Sequence, residues 1–423
     1  MDSPQLSEGF SWLTLFQLVL SLLAAFGLIA FSLFFALIGL GQFSSPVPGM
    51  PDLVSTYLYA GSLAFVGFLM LPSAGYALQR MIKGEKKRSQ YVFNNRWLLL
   101  ASGMLVILLP LVLMAGNLVS KYEKISWILL PLLHILAVSI PVFWLVTVGL
   151  NGLKPVSGQR VWGLLGAGAA LGPALILVLE LALLAGFVVI AIFLVAMQPE
   201  KASELADLLQ KLRLAPNNPQ VLEQFLQPFL ASPAVVASIF VYIAVLVPLI
   251  EETFKPIGVW LLVGRKLTPV DGFIAGLLSG AGYALFENLF LSSGGGQWVS
   301  VVLARIGTGA VHIFTTSLVG WGLASAWSQG RYLRLALSFA LAVGLHGLWN
   351  GLTIFTVGSQ ISTIPGIGSL PQVGYILPFV LVSLALLCIL MIWLFNRSMK
   401  HAIIASLPLA EGEIDREIET DEV

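Results

Sequence analysis

Two adjacent carboxylates, Glu251 and Glu252, lie within an apolar stretch that reads VASIFVYIAVLVPLIEETFKPIGVWLLV. One acidic residue at the centre of a membrane helix costs roughly 2.5 to 3.5 kcal/mol on insertion scales. Residues that carry this cost normally face the interior of a helix bundle, where they pair, bind an ion or take part in a reaction. Lys255 follows one helical turn later and can neutralise one carboxylate, which leaves the other available as a base.

Three later apolar segments also contain polar residues at helical spacing. They hold Tyr283, Glu287 and Asn288 in GYALFEN, Arg305, Thr308, His312 and Thr316 in ARIGTGAVHIFTT, and His346 and Asn350 in GLHGLWNG. Side chains three or four residues apart share one face of a helix. We therefore expect Thr316 or Thr308 to orient the His312 ring. Asn350 is expected to orient the His346 ring or to donate to a developing oxyanion.

The depth of these residues indicates one shared site. Because a helix rises about 1.5 Å per residue, Glu251, His312 and His346 all fall near the middle of their segments. Two other embedded residues have a simpler interpretation: His134 as an interhelical hydrogen-bonding residue, and Glu180 as the structural partner of Arg305. Arg305 itself is equally consistent with charge compensation and with substrate binding.

The composition is that of a polytopic membrane protein. Hydrophobic residues make up 58% of the chain and charged residues 10%, with a mean hydropathy of +0.93, whereas soluble domains have about 25% charged residues. The net charge of +1 indicates no nucleic-acid partner. The first apolar segment is too long for a signal peptide, so we expect it to be retained as a membrane span.

Apolar runs of about 20 residues predict an all-α transmembrane bundle of ten spans. The spans are predicted at 11–40, 54–79, 97–118, 126–151, 161–197, 234–263, 269–291, 299–326, 333–357 and 373–395. The spans at 161–197 and 234–263 are long enough to be tilted or broken, and Pro248 is expected to kink the second. Lys and Arg residues are concentrated in every second loop, which predicts that both termini are cytoplasmic.

The chain divides into five predicted regions. They are an N-terminal accessory region of five spans (1–197), an extracytoplasmic insert of amphipathic helices (198–232), a catalytic core of four helices (233–360), a final span (361–400) and an acidic cytoplasmic tail predicted to be disordered (401–423). In the insert, helical periodicity predicts one helix, and Asn218 and Pro219 suit the start of a second. The insert is interpreted as a surface hairpin, with a lid over a substrate entrance as the alternative.

Four motifs in the second half, at about residues 235–355, resemble those of the PrsW-type intramembrane proteases. EETFK matches an EExxK motif, GYALFEN matches an FxxxEN-like motif with Tyr283 as the leading aromatic residue, and two later histidines follow, the second in HGLWN. The PrsW-type family is distantly similar to the CAAX prenyl proteases. The resemblance implies hydrolysis of peptide bonds in membrane-associated substrates, often single-span regulatory proteins such as anti-sigma factors.

The hypothesis for hydrolysis assigns a role to each motif residue. Peptide hydrolysis needs an activated water, an oxyanion stabiliser and a proton donor for the leaving amine. Glu251 and Glu252 are assigned as the base and acid pair, and His312 and His346 as the groups that polarise the carbonyl. The assigned catalytic residues are Glu251, Glu252, His312, His346 and Asn350, and the supporting residues are Lys255, Glu287, Asn288, Arg305 and Thr316.

A zinc ion is the cofactor that these residue types suggest. Glu287, His312 and His346 form a candidate ligand set, because two histidines, one carboxylate and a separate glutamate base are typical of zinc hydrolases. The sequence has no HExxH, so a zinc mechanism and a metal-free glutamate mechanism both stay open.

The competing class of function is a proton-coupled transporter or channel, since embedded Glu, His, Lys and Arg residues also form ion paths. The lack of an internal repeat argues against it. For the protease, the expected partners are membrane protein or peptide substrates and the lipid bilayer. The expected location is the plasma membrane of a bacterium or archaeon, as an integral multi-pass protein. The sequence indicates no oligomeric state.

Overall fold

The predicted bundle of ten membrane-spanning helices is confirmed. The computed structural model describes residues 11–44, 51–83, 90–91, 96–153, 156–196, 199–214, 233–290, 297–358 and 371–421. Within these ranges, ten helical segments are long and apolar enough to cross a membrane, and each coincides with a predicted span. The protein is therefore a multi-pass membrane protein with an all-α fold.

The helices follow one another in a simple order along the chain. They are α1 (Trp12–Gln42), α2 (Leu53–Lys83), α3 (Arg96–Val119), α4 (Glu123–Leu150), α5 (Gly158–Gly166), α6 (Gly172–Ala196), α7 (Pro199–Leu214), α8 (Pro233–Val241), α9 (Val247–Phe254), α10 (Ile257–Trp260), α11 (Pro269–Phe290), α12 (Trp298–Gln329), α13 (Tyr332–Gly358) and α14 (Pro371–Asp421). Two short strands, β1 (Gln90–Tyr91) and β2 (Val156–Ser157), pair antiparallel beside the helices.

Both of the long spans are interrupted, as their sequences predict. A π-helical turn at Ala167–Leu171 separates α5 from α6. A second π-helical turn, Tyr242–Leu246, separates α8 from α9, and Pro248 lies in the first turn of α9. Proline lacks the N–H that a continuous helix needs, so it is tolerated where a helix restarts. The break places EETF at the end of a short helix of its own, with Lys255 directly after it.

Helix α11 is the centre of the bundle and is buried around most of its circumference. Its glycines let the neighbouring backbones approach closely. A Cβ atom on Gly276 would lie 2.9 Å from Ser317 Cα of α12, and one on Gly282 would lie 2.9 Å from Ala169 N of the first π-helical turn. These glycines thus form two helix interfaces, one that holds α12 against α11 and one that holds the α5–α6 break against α11.

The region predicted as accessory packs directly on the core. Helices α4 and α5 both contact α11, and α2 contacts α4 and α5. Ser62 Oγ of α2 donates to the Leu289 carbonyl of α11 at 3.1 Å. The boundary at residue 197 stays a prediction, but the first five spans help to position the helices that carry the motifs.

The structure contains one of the two helices predicted in the insert and differs from the prediction for the tail. The first predicted helix of the insert is present as α7, whereas the second, near Asn218 and Pro219, lies outside the described residues. Helix α14 continues to Asp421, through the acidic segment for which disorder was expected. The expectation of disorder was based on the acidic charge of the segment. The segment also contains Ala, Leu, Glu and Arg, which have high helix propensity and favour the helix.

Candidate active site

The ammonium group of Lys255 lies at the centre of the polar residues that the sequence singles out. Its Nζ atom is 2.8 Å from Glu251 Oε2 and 2.9 Å from Glu252 Oε1. It is also 2.7 Å from His312 Nδ1 and 3.2 Å from His346 Nδ1. Three helices, α9, α12 and α13, therefore bring two carboxylates and two imidazoles around one cation. These five residues are called the Lys255 cluster below.

The end of α9 fixes the position of Lys255. The helix ends at Phe254, and Lys255 N donates to the Glu251 carbonyl as the last turn closes. Ser279 Oγ of α11 donates to the Lys255 carbonyl at 2.7 Å, and it accepts from Gly258 N at 3.3 Å. Ser279 thus satisfies backbone groups that the helix break would leave unpaired at membrane depth.

Glu252 is the most firmly held residue of the Lys255 cluster. It is fully buried, and Oε1 accepts from Lys255 Nζ and from Thr315 Oγ1, the latter at 3.1 Å. His346 Nδ1 lies 3.0 Å from the same oxygen. A carboxylate with three such neighbours at one oxygen is suited to hold its partners in place.

Glu251 has fewer partners and lies nearer to the surface of the protein. It is 6% exposed, and its Oε2 atom pairs with Lys255. The same oxygen lies 3.9 Å from His346 Nε2. Lys255 has three hydrogens to donate, and its three shortest contacts are His312, Glu251 and Glu252. We infer that His346 Nδ1–H donates to Glu252, so that His346 Nε2 and Glu251 Oε2 are two acceptors facing each other.

His312 is held from its other side by a chain of polar residues. His312 Nε2 contacts Glu287 Oε2, and Glu287 Oε1 pairs with Arg305 Nη2 at 2.6 Å. Arg305 Nε donates to Asn288 Oδ1 at 3.0 Å. A carboxylate on one ring nitrogen sets the tautomer and leaves the other nitrogen as the acceptor. Glu287, Arg305 and Asn288 therefore orient His312. The expected partner of Glu180, which was Arg305, pairs with Glu287 instead.

Asn350 and Thr316 contact different groups from those expected. The Asn350 amide donates at 3.1 Å to the carbonyl of Ile243, in the π-helical turn before α9. A π-helical turn frees a backbone carbonyl, so this amide stabilises the break and is not directed at the His346 ring. The Thr316 hydroxyl is buried and has no hydrogen-bond partner among the described residues. Thr308 accepts from Trp349 Nε1 at 3.0 Å, so it does not orient His312 either.

Thr315 is a site residue that the sequence interpretation missed. Its hydroxyl lies 3.1 Å from Glu252 Oε1 and 3.3 Å from the His312 carbonyl, and it is fully buried. The available signal was its position three residues after His312, which places both on one face of α12. The sequence analysis assigned the adjacent Thr316 instead, because it lies four residues from His312.

The two threonines provide a matched pair of substitutions. We expect Thr315→Val to reduce the free energy of unfolding by about 1 to 3 kcal/mol, since it removes a hydrogen bond to a buried carboxylate. Thr316→Val removes a hydroxyl without a partner and is expected to be neutral or stabilising. Denaturant titration of both variants in the same detergent measures the difference. Equal effects of the two substitutions would contradict the assignment of Thr315 to the Lys255 cluster.

Three residues of the Lys255 cluster also form a candidate metal-ligand set. Glu251, His312 and His346 are buried, and one ligand atom from each lies within 4.8 Å of the others. Two imidazole nitrogens and one carboxylate oxygen fit the preferences of zinc. The sequence expectation of Glu287 as the third ligand differs from this arrangement, because Glu287 contacts the opposite ring nitrogen of His312.

His134 has the role that the sequence predicts for it. The residue lies in α4, and its Nε2 atom is 3.2 Å from the Leu289 carbonyl of α11. It is fully buried and joins two helices away from the Lys255 cluster. His134 therefore provides a buried histidine for control substitutions.

Comparison with protein families gives one match, to a family model described as PrsW family intramembrane metalloprotease, over residues 162–387. The matched range is more than half of the chain and contains α9, α11, α12 and α13, which carry every residue of the Lys255 cluster and its polar neighbours. Searches of curated proteins and of solved structures gave no match.

Proposed function

The chain belongs to the PrsW family of intramembrane metalloproteases, and we propose that it hydrolyses peptide bonds of membrane proteins at the Lys255 cluster. The observation that carries this proposal is the convergence of two carboxylates and two imidazoles on one ammonium group, all buried within the spans. Each embedded charge costs free energy in a membrane, so such a group is expected to serve a reaction rather than packing alone.

Glu251 is proposed as the general base. Its Oε2 atom and His346 Nε2 are 3.9 Å apart, and two acceptors at this separation can both accept from one water molecule. The proposed attacking water donates one hydrogen to each. As the water attacks the carbonyl carbon, Glu251 takes its proton and later passes it to the leaving amine. Glu252 keeps His346 and Lys255 in place for this step. The sequence analysis assigned both glutamates as an acid and base pair, whereas this proposal gives the proton transfer to Glu251 alone.

Lys255 is proposed to stabilise the developing oxyanion, and His312 to hold the Lys255 ammonium group in place. Lys255 Nζ is the positive group at the centre of the cluster, and His312 lies against it at 2.7 Å. A preorganised charge in a water-excluded site stabilises a transition state more strongly than the same charge in water. Glu287, Arg305 and Asn288 act as positioning residues for His312.

Zinc-dependent hydrolysis is a second candidate mechanism at the same site, with Glu251, His312 and His346 as the ligands. Glu251 would then hold the ion and would not be the general base. When bound, zinc would make a coordinated water a stronger nucleophile and polarise the substrate carbonyl. Lys255 Nζ contacts Glu251 Oε2 and His312 Nδ1, so the ammonium and the ion compete for these two atoms. The proposal therefore requires Lys255 to keep Glu252 as its partner when zinc is held.

Metal analysis tests this part of the proposal. The zinc mechanism predicts that purified, active protein holds about one zinc per chain, and that His346→Ala loses most of it, because one of three protein ligands is removed. His134→Ala is the matched control and should keep the wild-type zinc content. Active protein without stoichiometric zinc, with activity unchanged by a chelator, would remove zinc from the mechanism and leave the Glu251 mechanism.

The proposed substrates are membrane proteins with a single span, such as the regulatory proteins that the family resemblance implies. The Lys255 cluster lies within membrane-spanning helices, so the scissile bond must enter the protein at membrane depth. Glu287 and Arg305 have the most exposed side chains around it, at 20% and 15%. We propose that the substrate approaches from the side of these two residues, and that the protein acts in the plasma membrane.

A further inference from the structure

A polar cavity lies at one end of the bundle core, away from the Lys255 cluster. It has a volume of about 630 Å³ and is bounded by α1, α2, α5, α10 and the start of α11. Volumes of 300 to 1,000 Å³ are typical of small-molecule sites. The loops at this end of the spans are those that the charge distribution assigns to the cytoplasm. The residues of the Lys255 cluster do not line it.

The cavity is strongly basic. Among the residues that the structure describes, its lining includes Arg80, Arg160, Arg265 and Lys266, and one carboxylate, that of Asp271. Asp271 accepts from Thr268 N at 2.9 Å and from Thr268 Oγ1 at 2.7 Å, as the N3 residue of a capping box that begins at Thr268. It lies 3.9 Å from Arg160 and offsets one of these four cationic charges.

Side chains on one wall hold Arg80 in place. Arg80 Nη1 donates to Gln159 Oε1 at 3.0 Å. Gln159 Nε2 donates in turn to Gln17 Oε1 at 3.1 Å, which joins α2, α5 and α1. The beginnings of α1, α5 and α11 also contribute lining residues, and helix N-termini favour anions. Charge, donors and geometry therefore converge on a ligand with a negative group.

One side of the lining is apolar and reaches the outer surface of the bundle. Leu13, Phe16 and Leu20 of α1 form this side. Phe16 is 43% exposed, so the cavity borders the face of α1 that contacts the hydrocarbon of the bilayer. A ligand that fits both parts has a negative head and an apolar body.

We propose that this cavity binds an anionic phospholipid, with its phosphate among Arg80, Arg160, Arg265 and Lys266. Basic pockets between membrane helices on the cytoplasmic side are suited to such headgroups. The acyl chains would lie along Phe16 and Leu20. The site is independent of the proposed protease chemistry and goes beyond it. It is also close to the break after α9, because Gly258 lines the cavity and donates to Ser279, which holds the Lys255 carbonyl.

Lipid retention by the full-length protein tests the proposal. The protein is reconstituted with phosphatidylglycerol and phosphatidylcholine, purified in mild detergent, and its bound lipid is counted by native mass spectrometry. We expect wild type to retain phosphatidylglycerol, and Arg265→Gln/Lys266→Gln to bind it at least about tenfold more weakly. Arg265→Lys/Lys266→Arg keeps both charges and should bind as wild type does.

A control variant that loses the same number of positive charges distinguishes a specific lipid site from general attraction of the lipid to the protein surface. Arg331→Gln/Arg397→Gln removes two cations from the same predicted membrane face, outside the cavity lining, and should retain the lipid. Equal retention by this control and by Arg265→Gln/Lys266→Gln would overturn the proposal. It would also be overturned if inorganic phosphate displaced the lipid at low millimolar concentration, since the ligand would then be a soluble phosphate.

Discussion

Glu251→Gln is expected to reduce peptide-bond cleavage by about 10²- to 10⁴-fold, the range that a positioned general base contributes. The amide has the size of the carboxylate but cannot take a proton from the attacking water. Lys255 keeps Glu252 as its charge partner at 2.9 Å, so we expect the melting temperature to change by only a few degrees. Initial rates at matched amounts of folded protein in liposomes measure the effect.

Glu180→Gln is the matched control for this substitution. It makes the same chemical change at another embedded glutamate, in α6, that the Lys255 cluster does not include. We expect its cleavage rate to stay within about twofold of wild type. Folded Glu251→Gln protein that cleaves nearly as fast as wild type would show that another group is the base. Glu252 would then be the first alternative.

Lys255→Met is expected to cause the largest loss of stability of any single substitution in the site. It leaves Glu251 and Glu252 buried without their shared cation, and removing one partner of a buried ion pair costs about 3 to 5 kcal/mol. The imidazole of His312 also loses its contact at 2.7 Å. Denaturant titration in detergent measures the free energy of unfolding.

A second substitution shows whether the buried charges cause this loss. Adding Glu252→Gln to Lys255→Met removes one of the unpaired carboxylate charges, so the double variant should regain stability relative to Lys255→Met. Coupling energies between contacting residues are about 0.5 to 3 kcal/mol. Additive losses in the double variant, or a loss below about 1 kcal/mol for Lys255→Met, would contradict the central position of the ammonium group.

The sequence predicted the helices and the motif residues well, because both depend on local signals. Runs of apolar residues marked all ten spans. The cost of an embedded charge singled out Glu251, Glu252, Lys255, His312 and His346 before any contact between them was known. The length of two spans indicated that they could be broken, and Pro248 marked the break in the second, since proline disturbs a regular helix.

Contacts between different helices were harder to predict from the sequence. Spacing along α12 cannot decide whether Thr315 or Thr316 meets Glu252, because helix rotation and tilt set that choice. The role of Asn350 depends on the π-helical turn before α9, and no residue of α13 signals that turn. Likewise, Glu287 and Glu251 are equivalent by residue type as metal ligands. Only the orientation of the His312 ring places them on opposite sides of it.

The most direct test of the protease proposal is cleavage by the purified chain in liposomes that also contain a panel of single-span membrane proteins. Mass spectrometry of the products identifies any bond that is cut. We predict new termini within or beside the span of at least one substrate with wild type, and none with Glu251→Gln. Intact substrates throughout, together with a proton or solute flux that Glu251→Gln abolishes, would contradict the proposal and favour a transporter.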